Sequence, residues 1–239
     1  MSLKIEKAMH FAKLAHEGQF RADGVEPYFN HVYRVFKKLL VLFDSIIDPM
    51  DGLVDNPQNV GQSFNQEEIL CAALLHDTVE DNKSVDLIQI NKEFGFNVET
   101  LVWWLTNRDD KSLNRKARID MREEKYHQMP NAAKIIKLAD RIDNLNSMEI
   151  KGNSFVDKYL YETYGLLYAI YSKSFPKSLN LMYSKLYNKW CDICIAKKIN
   201  IISFQSKWQE ENKDKIAFYE SKTCQDFKYF TNPLVHPIV

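Results

Sequence analysis

Apolar residues recur along this chain at three- and four-residue intervals, the period at which an α-helix gathers side chains onto one face. Ile5, Ala8, Met9, Ala12 and Ala15 form such a face over residues 3–17, and Gly18 is placed to end the helix. A polar loop occupies residues 19–28. From about Asn30 the pattern resumes with Val32, Val35, Phe36, Leu39 and Leu40, and His31 falls in the first turn. Residues 44–64 break the period with Pro49, Gly52, Pro57 and Gly61, an excursion long for a compact domain and readable as a lid or a plain insertion. Helical spacing returns with Ile69, Ala72, Ala73 and His76, and Ser63 with Gln66, or Asn65, can cap the start. A short helix opened by Ser84 and closed by Gly95 follows. Next comes one with Val98, Leu101, Val102 and Leu105 inward, Trp103 and Trp104 being assigned to core or interface. Residues 108–128 are densely charged over a thin stripe of Leu113, Ala117 and Met121. From Pro130, Ala132, Ile135, Ile136, Ala139, Ile142 and Leu145 make a broad apolar face, and tyrosine-rich helical patterns continue from Ser154. No useful stretch alternates with the two-residue period of a strand, so the expected fold class is all-α. The expected organisation is one domain over residues 1–153, carrying the 44–64 insertion, with a C-terminal helical extension over 154–239 packed on it or appended to it.

The polar residues that interrupt these faces carry the candidate chemistry. His76 and Asp77 end the central apolar segment; Glu80 lies four residues after His76 and Asp81 four after Asp77. If the helix runs on, all four project over neighbouring parts of one surface. Carboxylates crowded against an apolar segment repel one another and lose hydration unless a cation or hydrogen bonds offset the cost. A mixed nitrogen and oxygen set suits a divalent ion such as Mn, Fe, Co, Ni or Zn. Asp140 also stands beside an apolar face, with Lys137 three residues before it and Asn144 four after, and its carboxylate needs Lys137, a neighbouring arginine or a metal as partner. His31, His76, Asp77 and Asp140 are therefore candidate ligands on three helices. Two imidazoles and two carboxylates leave room for water on a six-coordinate ion, an arrangement that acidifies water for attack on phosphorus, with Glu80 and Asp81 as acid/base groups.

Composition narrows the setting. In 239 residues, Lys+Arg and Asp+Glu both total 32, so no global field recruits nucleic acid or an anionic membrane, and an anionic substrate needs a local basic patch. Lys111, Arg115, Lys116 and Arg118 are candidates for that patch. An apolar fraction of 45% supports a real core. Four cysteines, with Cys191 and Cys194 at redox-motif spacing but no strand–helix alternation around them, are expected as free thiols. The N-terminus lacks the pattern of a signal peptide and no apolar run reaches bilayer length, so the expected setting is cytoplasmic.

Several stretches together, HFAKLAHEGQFRADGVEPYFNH, ALLHDTVEDN, the FG-x-x-V-x-x-LV-x-x-LT run and KLADRIDNL, resemble the hydrolase half of the RelA/SpoT alarmone enzymes and, more closely, the Mesh1-like small alarmone hydrolases of the HD-domain superfamily. The match covers about residues 5–150. The resemblance implies a helical HD domain holding one Mn²⁺, or another divalent transition metal, through His31, His76, Asp77 and Asp140. It also implies removal of the 3′-pyrophosphate from (p)ppGpp. Glu80 and Asp81 fall on the family's Glu-Asp pair that orients or activates water. Arg21 matches the loop arginine that packs on the guanine, Asn144 the asparagine near the ribose, and Tyr28 and Lys137 line the pocket. Two positions depart from the pattern: Ala22 stands where a second basic residue is frequent, and Asp143 where many relatives carry histidine. Two alternatives stand beside it: a hydrolase of another nucleotide (a nucleoside mono- or triphosphate, or NADPH) that shares the metal site, and a catalytically idle HD module that senses a nucleotide or holds a partner. The expected partner is a small nucleotide, and a homo-oligomer is compatible with all three.

Overall fold

A computed structural model describes residues 2–55, 62–107, 112–148, 152–172 and 175–222. The chain forms α1 (Leu3–Ala15), α2 (Tyr28–Asp44), α3 (Gln66–Leu75), α4 (Thr78–Asp81), α5 (Leu87–Phe94) and α6 (Phe96–Leu105). It continues with α7 (Arg115–Gln128), α8 (Asn131–Asn146), α9 (Asn153–Ile170), α10 (Lys177–Ala196), α11 (Ile201–Glu211) and α12 (Lys213–Lys222). Among the described residues the only β-type pairings are isolated bridges, Phe20 with Pro27 and Asp55 with Ser63. The class is all-α.

Short polar side chains start several helices by accepting orphan backbone N–H groups. Ser2 does so for α1, Asn114 for α7 and Asn200 for α11. At α3, Asn65 and Glu68 form a reciprocal capping box, so of the two expected starts Asn65 is the one used. Asp86, not Ser84, caps α5, because its carboxylate reaches the Gln89 N–H at 2.8 Å.

Helix α3 is the centre of the fold. Every residue from Ile69 to Leu75 is buried, and α1, α2, α6 and α8 all pack around it. Ala72 and Ala73 supply little bulk, which lets those neighbours approach from all sides, while each fully buried leucine or isoleucine contributes about 1.5–3 kcal/mol. Helix α8 is covered by four neighbours, α2, α3, α6 and α10. That cover buries Lys137, Asp140, Arg141 and Asp143, and buried charges need partners. Lys137 meets Asp140 at 2.8 Å, while Arg141 donates to Thr163 Oγ1 and lies over the Tyr159 ring at 4.5 Å.

The described part of the 44–64 excursion is docked. Leu53 is fully buried, Asn131 Nδ2 donates to the Gly52 carbonyl at 2.9 Å, and Ser178 Oγ donates to the Pro49 carbonyl at 2.9 Å. Gly52 has φ +68°, and a Cβ there would lie 2.6 Å from Pro176 Cγ, so this tight approach needs glycine. Pro57 and Gly61 lie outside the described residues.

Helix α7 departs from the expected stripe. Met121 is 54% exposed, whereas Glu123 and Tyr126 are buried. The reason is tertiary: Glu123 packs against Gly165 of α9 and pairs with Lys215 of α12. Trp104 joins the core but Trp103 stays 41% exposed beneath the Lys125 ammonium. Leu40 is only partly buried, whereas Leu42 and Phe43 are buried. In the C-terminal helices, Tyr164, Trp190, Phe204 and Trp208 interlock, and Trp190 Nε1 donates to the Leu160 carbonyl at 3.0 Å. Cys71, Cys191 and Cys194 are free thiols, and Cys224 lies outside the described residues. No described helix is long and apolar enough to cross a membrane.

Candidate functional site

Three helices aim polar side chains at one point. His31 comes from the first turn of α2, which begins at Tyr28 because Pro27, with no N–H of its own, occupies the N-cap position. Asp140 comes from the middle of α8. His76 and Asp77 sit between α3 and α4, so the helix does not run on unbroken through residue 81. Both keep right-handed dihedrals (φ −58°, ψ −34° and φ −101°, ψ −6°), and Thr78 Oγ1 donates to the Leu75 carbonyl at 2.8 Å. The interruption separates the acidic pair. Glu80 turns towards the end of α6, where its Oε2 accepts the Asn107 N–H at 2.8 Å, while Asp81 lies beside Tyr28 and His16.

The four side chains converge. His31 Nε2 is 3.3 Å from Asp140 Oδ1 and 3.7 Å from Asp77 Oδ2; His76 Nε2 is 3.0 Å from Asp77 Oδ2 and 3.9 Å from Asp140 Oδ1. Ligand atoms of His31, His76 and Asp140 all lie within 4.8 Å of one another. The tautomers follow from the other ring nitrogens. His31 Nδ1 faces Asp143 Oδ2 at 2.8 Å and His76 Nδ1 faces the Ala73 carbonyl at 2.9 Å. Both of those oxygens can only accept, so in the neutral rings the proton sits on Nδ1 and the Nε2 lone pair points inward. The Nε2 atoms of both imidazoles are buried without a hydrogen-bond partner. Two orphaned imidazole nitrogens facing two carboxylates are a donor set for a divalent transition ion.

The electrostatics agree. Burial opposes charge on His31, but the three carboxylates around it, Asp140, Asp143 and Asp77, outweigh it and hold the imidazole up at about 10. Burial opposes charge on His76 too, yet the adjacent Asp77 raises it. Burial likewise disfavours the charged forms of Asp77 and Asp140, and the cations beside them, His76 and Lys137 respectively, hold both carboxyls well below the usual range. A cluster that draws protons onto buried imidazoles in this way is one that demands positive charge. Glu80 and Asp81 move the other way: burial raises both, and the charge of Asp77 adds to the rise.

Around this centre, Arg21 Nη2 donates to Asn144 Oδ1 at 2.7 Å, and Asn144 Nδ2 donates to Asp140 Oδ1 at 2.6 Å. The Arg21 guanidinium also lies 5.5 Å from the Tyr28 ring centroid. Tyr28 stacks on His16 and gives its hydroxyl to Asp77 Oδ2 at 2.7 Å. The Lys137 ammonium is committed to Asp140 Oδ2, with 7% of its side chain exposed. The expected basic patch is engaged along α7: Arg115 pairs with Glu162, Lys116 with Asp120, and Arg118 donates to the Leu113 carbonyl. Lys111 lies outside the described residues. Sequence reasoning missed Arg34, Lys38 and His16. The first two were detectable, since 31, 34 and 38 follow helical i, i+3, i+7 spacing on α2.

The HD domain profile matches residues 28–145, from the first residue of α2 almost to the end of α8. Guanosine-3′,5′-bis(diphosphate) 3′-pyrophosphohydrolase MESH1 of Drosophila melanogaster is 34% identical over 150 residues, covering 62% of this chain and 72% of that protein. Its Homo sapiens counterpart is 33% identical over 143 residues, covering 59% and 68%. The chain belongs to the MESH1-like HD-domain family. A solved metazoan SpoT ortholog, described as hydrolysing ppGpp, superposes with a TM-score of 0.61 at 27% identity, covering 79% of this chain and 96% of that one. The HD profile takes in all four converging residues of this MESH1-like chain, whereas Arg21 precedes it.

Proposed function

We propose that this chain is a metal-dependent phosphohydrolase that removes the 3′-pyrophosphate of (p)ppGpp, releasing GDP or GTP and pyrophosphate, with Mn²⁺ as its metal. The observation that carries the reading is the pair of buried, unpartnered Nε2 atoms of His31 and His76 facing the carboxylates of Asp77 and Asp140. MESH1 relatives that hydrolyse this substrate support it.

His31, His76, Asp77 and Asp140 would hold the ion, and when bound it supplies Lewis acidity that acidifies water and offsets phosphate charge. Glu80, fixed by the Asn107 N–H and shifted upward by burial, accepts a proton from the attacking water. Asp81, beside Tyr28, shares that task or returns the proton to the leaving 3′ oxygen. Tyr28 holds Asp77 in place through its hydroxyl. Arg21, planar and already stationed over an aromatic ring, offers its face to the guanine on leaving Asn144, and Asn144 is then free to meet the ribose. Lys137 orients Asp140 from behind. We further read the described part of residues 154–239, up to Lys222, as a helical brace, supported by the packing of α10 on α8 and of α9 on α7.

Turnover of ppGpp to GDP and pyrophosphate in Mn²⁺, lost with chelator and in His76→Ala, is the expected result. Hydrolysis of other nucleotides with ppGpp left intact would refute the substrate, and tight nucleotide binding without turnover in any divalent metal would refute the reaction.

A further inference from the structure

Behind His31, the buried carboxylate of Asp143 is met by three nitrogen-bearing side chains of α2. Asp143 is 1% exposed, yet its two oxygens face His31 Nδ1 (2.8 Å), Arg34 Nε (3.0 and 3.1 Å), Arg34 Nη2 (3.0 Å) and Lys38 Nζ (2.5 Å). All the cations come from α2 and the carboxylate from α8, so Asp143 ties together the helices that supply His31 and Asp140. Glu26 takes the outer edge of the Arg34 guanidinium, which keeps that side chain in register.

We propose that Asp143 is a positioning residue for His31, directing the Nε2 lone pair into the cation site, and that Arg34 and Lys38 hold Asp143 in the place where it can do so. The inference rests on the metal-centre reading above. Asp143 is saturated by donors, so it cannot rotate away, and as an anion it can only accept; His31 is left one tautomer and one ring orientation. A carboxylate behind a ligating imidazole also strengthens the nitrogen on the far side, and loss of such a partner weakens metal binding by about 10–100-fold. His76 has a different anchor, the neutral Ala73 carbonyl at 2.9 Å. The two imidazoles are therefore unequal, and substitution at Asp143 addresses only the His31 side.

The test is titration of chelator-stripped full-length protein with Mn²⁺ by calorimetry and with Co²⁺ by visible absorption, alongside melting in chelator. Asp143→Asn keeps the shape and removes the charge. It is expected to weaken Mn²⁺ binding about 10–100-fold and to alter the Co²⁺ spectrum, beyond any fall in melting temperature. A purely structural Asp143 would lower the melting temperature and leave affinity and spectrum at wild-type values, which would overturn the proposal. If Asp143→Asn does not fold, Asp143→Glu, which keeps the charge but displaces the carboxylate from His31 Nδ1, is read the same way. Weaker Mn²⁺ binding is expected there, and unchanged binding overturns the proposal. Wild-type protein that binds neither ion would instead bring down the metal-centre reading itself, a result distinct from either variant outcome.

Discussion

Replacing Lys137 with methionine separates what this lysine does for the fold from what it does for the cation site. Its ammonium lies 2.8 Å from Asp140 Oδ2, and the two side chains are only 7% and 6% exposed, so water screens the pair little. At that distance the Coulomb attraction is about 6 kcal/mol at an effective dielectric of about 20. Methionine preserves most of the buried hydrocarbon, so the loss is nearly all electrostatic. Removing one partner of a buried pair costs about 3–5 kcal/mol. For a chain of this size that corresponds to a fall of roughly 6–20 °C in melting temperature. The same change removes a positive charge from beside the site where a divalent cation would sit. Mn²⁺ should therefore bind more tightly to the variant and restore more stability than it adds to wild type. Melting curves with chelator and across an Mn²⁺ series give both quantities. A variant as stable as wild type in chelator, or one that gains less from Mn²⁺, would refute the reasoning.

Glu80→Gln can keep an oxygen on the Asn107 N–H but loses the proton acceptor, so kcat for ppGpp should fall about 10²–10⁴-fold with KM little changed; steady-state kinetics decide, and an unchanged kcat removes Glu80 from the reaction. Arg21→Ala should raise KM for ppGpp by roughly 2–30-fold, the worth of about 0.5–2 kcal/mol of cation–π contact, with a smaller effect on kcat. In chelator, His31 titrates near 10 in the fold against an ordinary 6.5. Its contribution to stability is thus complete below about pH 6.5 and lost as pH rises through about 10; urea midpoints should decline over that window, and Mn²⁺ should flatten the decline. Gly165→Ala would set a Cβ 1.9 Å from Glu123 Oε1, a buried carboxylate tied to Lys215. Overpacking there should cost about 1–3 kcal/mol, visible as a lower melting temperature with metal affinity unaltered.

Most helices were legible because each buries one face, and a single face leaves a local period in the sequence. The stripes led by Ile5, Val32, Ile69, Val98 and Ala132 all face the core. The stripe of α7 misled, since Met121 points outward and Glu123 inward. Burying a glutamate depends on Lys215, 92 residues away, and on the space left by Gly165, neither of which the local pattern contains. Among the site residues, the adjacency of His76 and Asp77 and the short spacing to Glu80 and Asp81 flagged a cation site, because crowded carboxylates need compensation wherever the chain goes.

What the sequence determined alone was therefore the class of the fold, the helices that carry the chemistry and the kinds of ligand available. The tertiary structure decided the pairings. Residues 112 positions apart bring Asp143 to His31, residues 123 apart bring Arg21 to Asn144, and a break after Leu75 sends Glu80 and Asp81 to different neighbours. Spacing along a helix constrains only neighbours within a turn or two. Which distant carboxylate meets which imidazole depends on how helices pack, and so does the direction in which the two free ring nitrogens point.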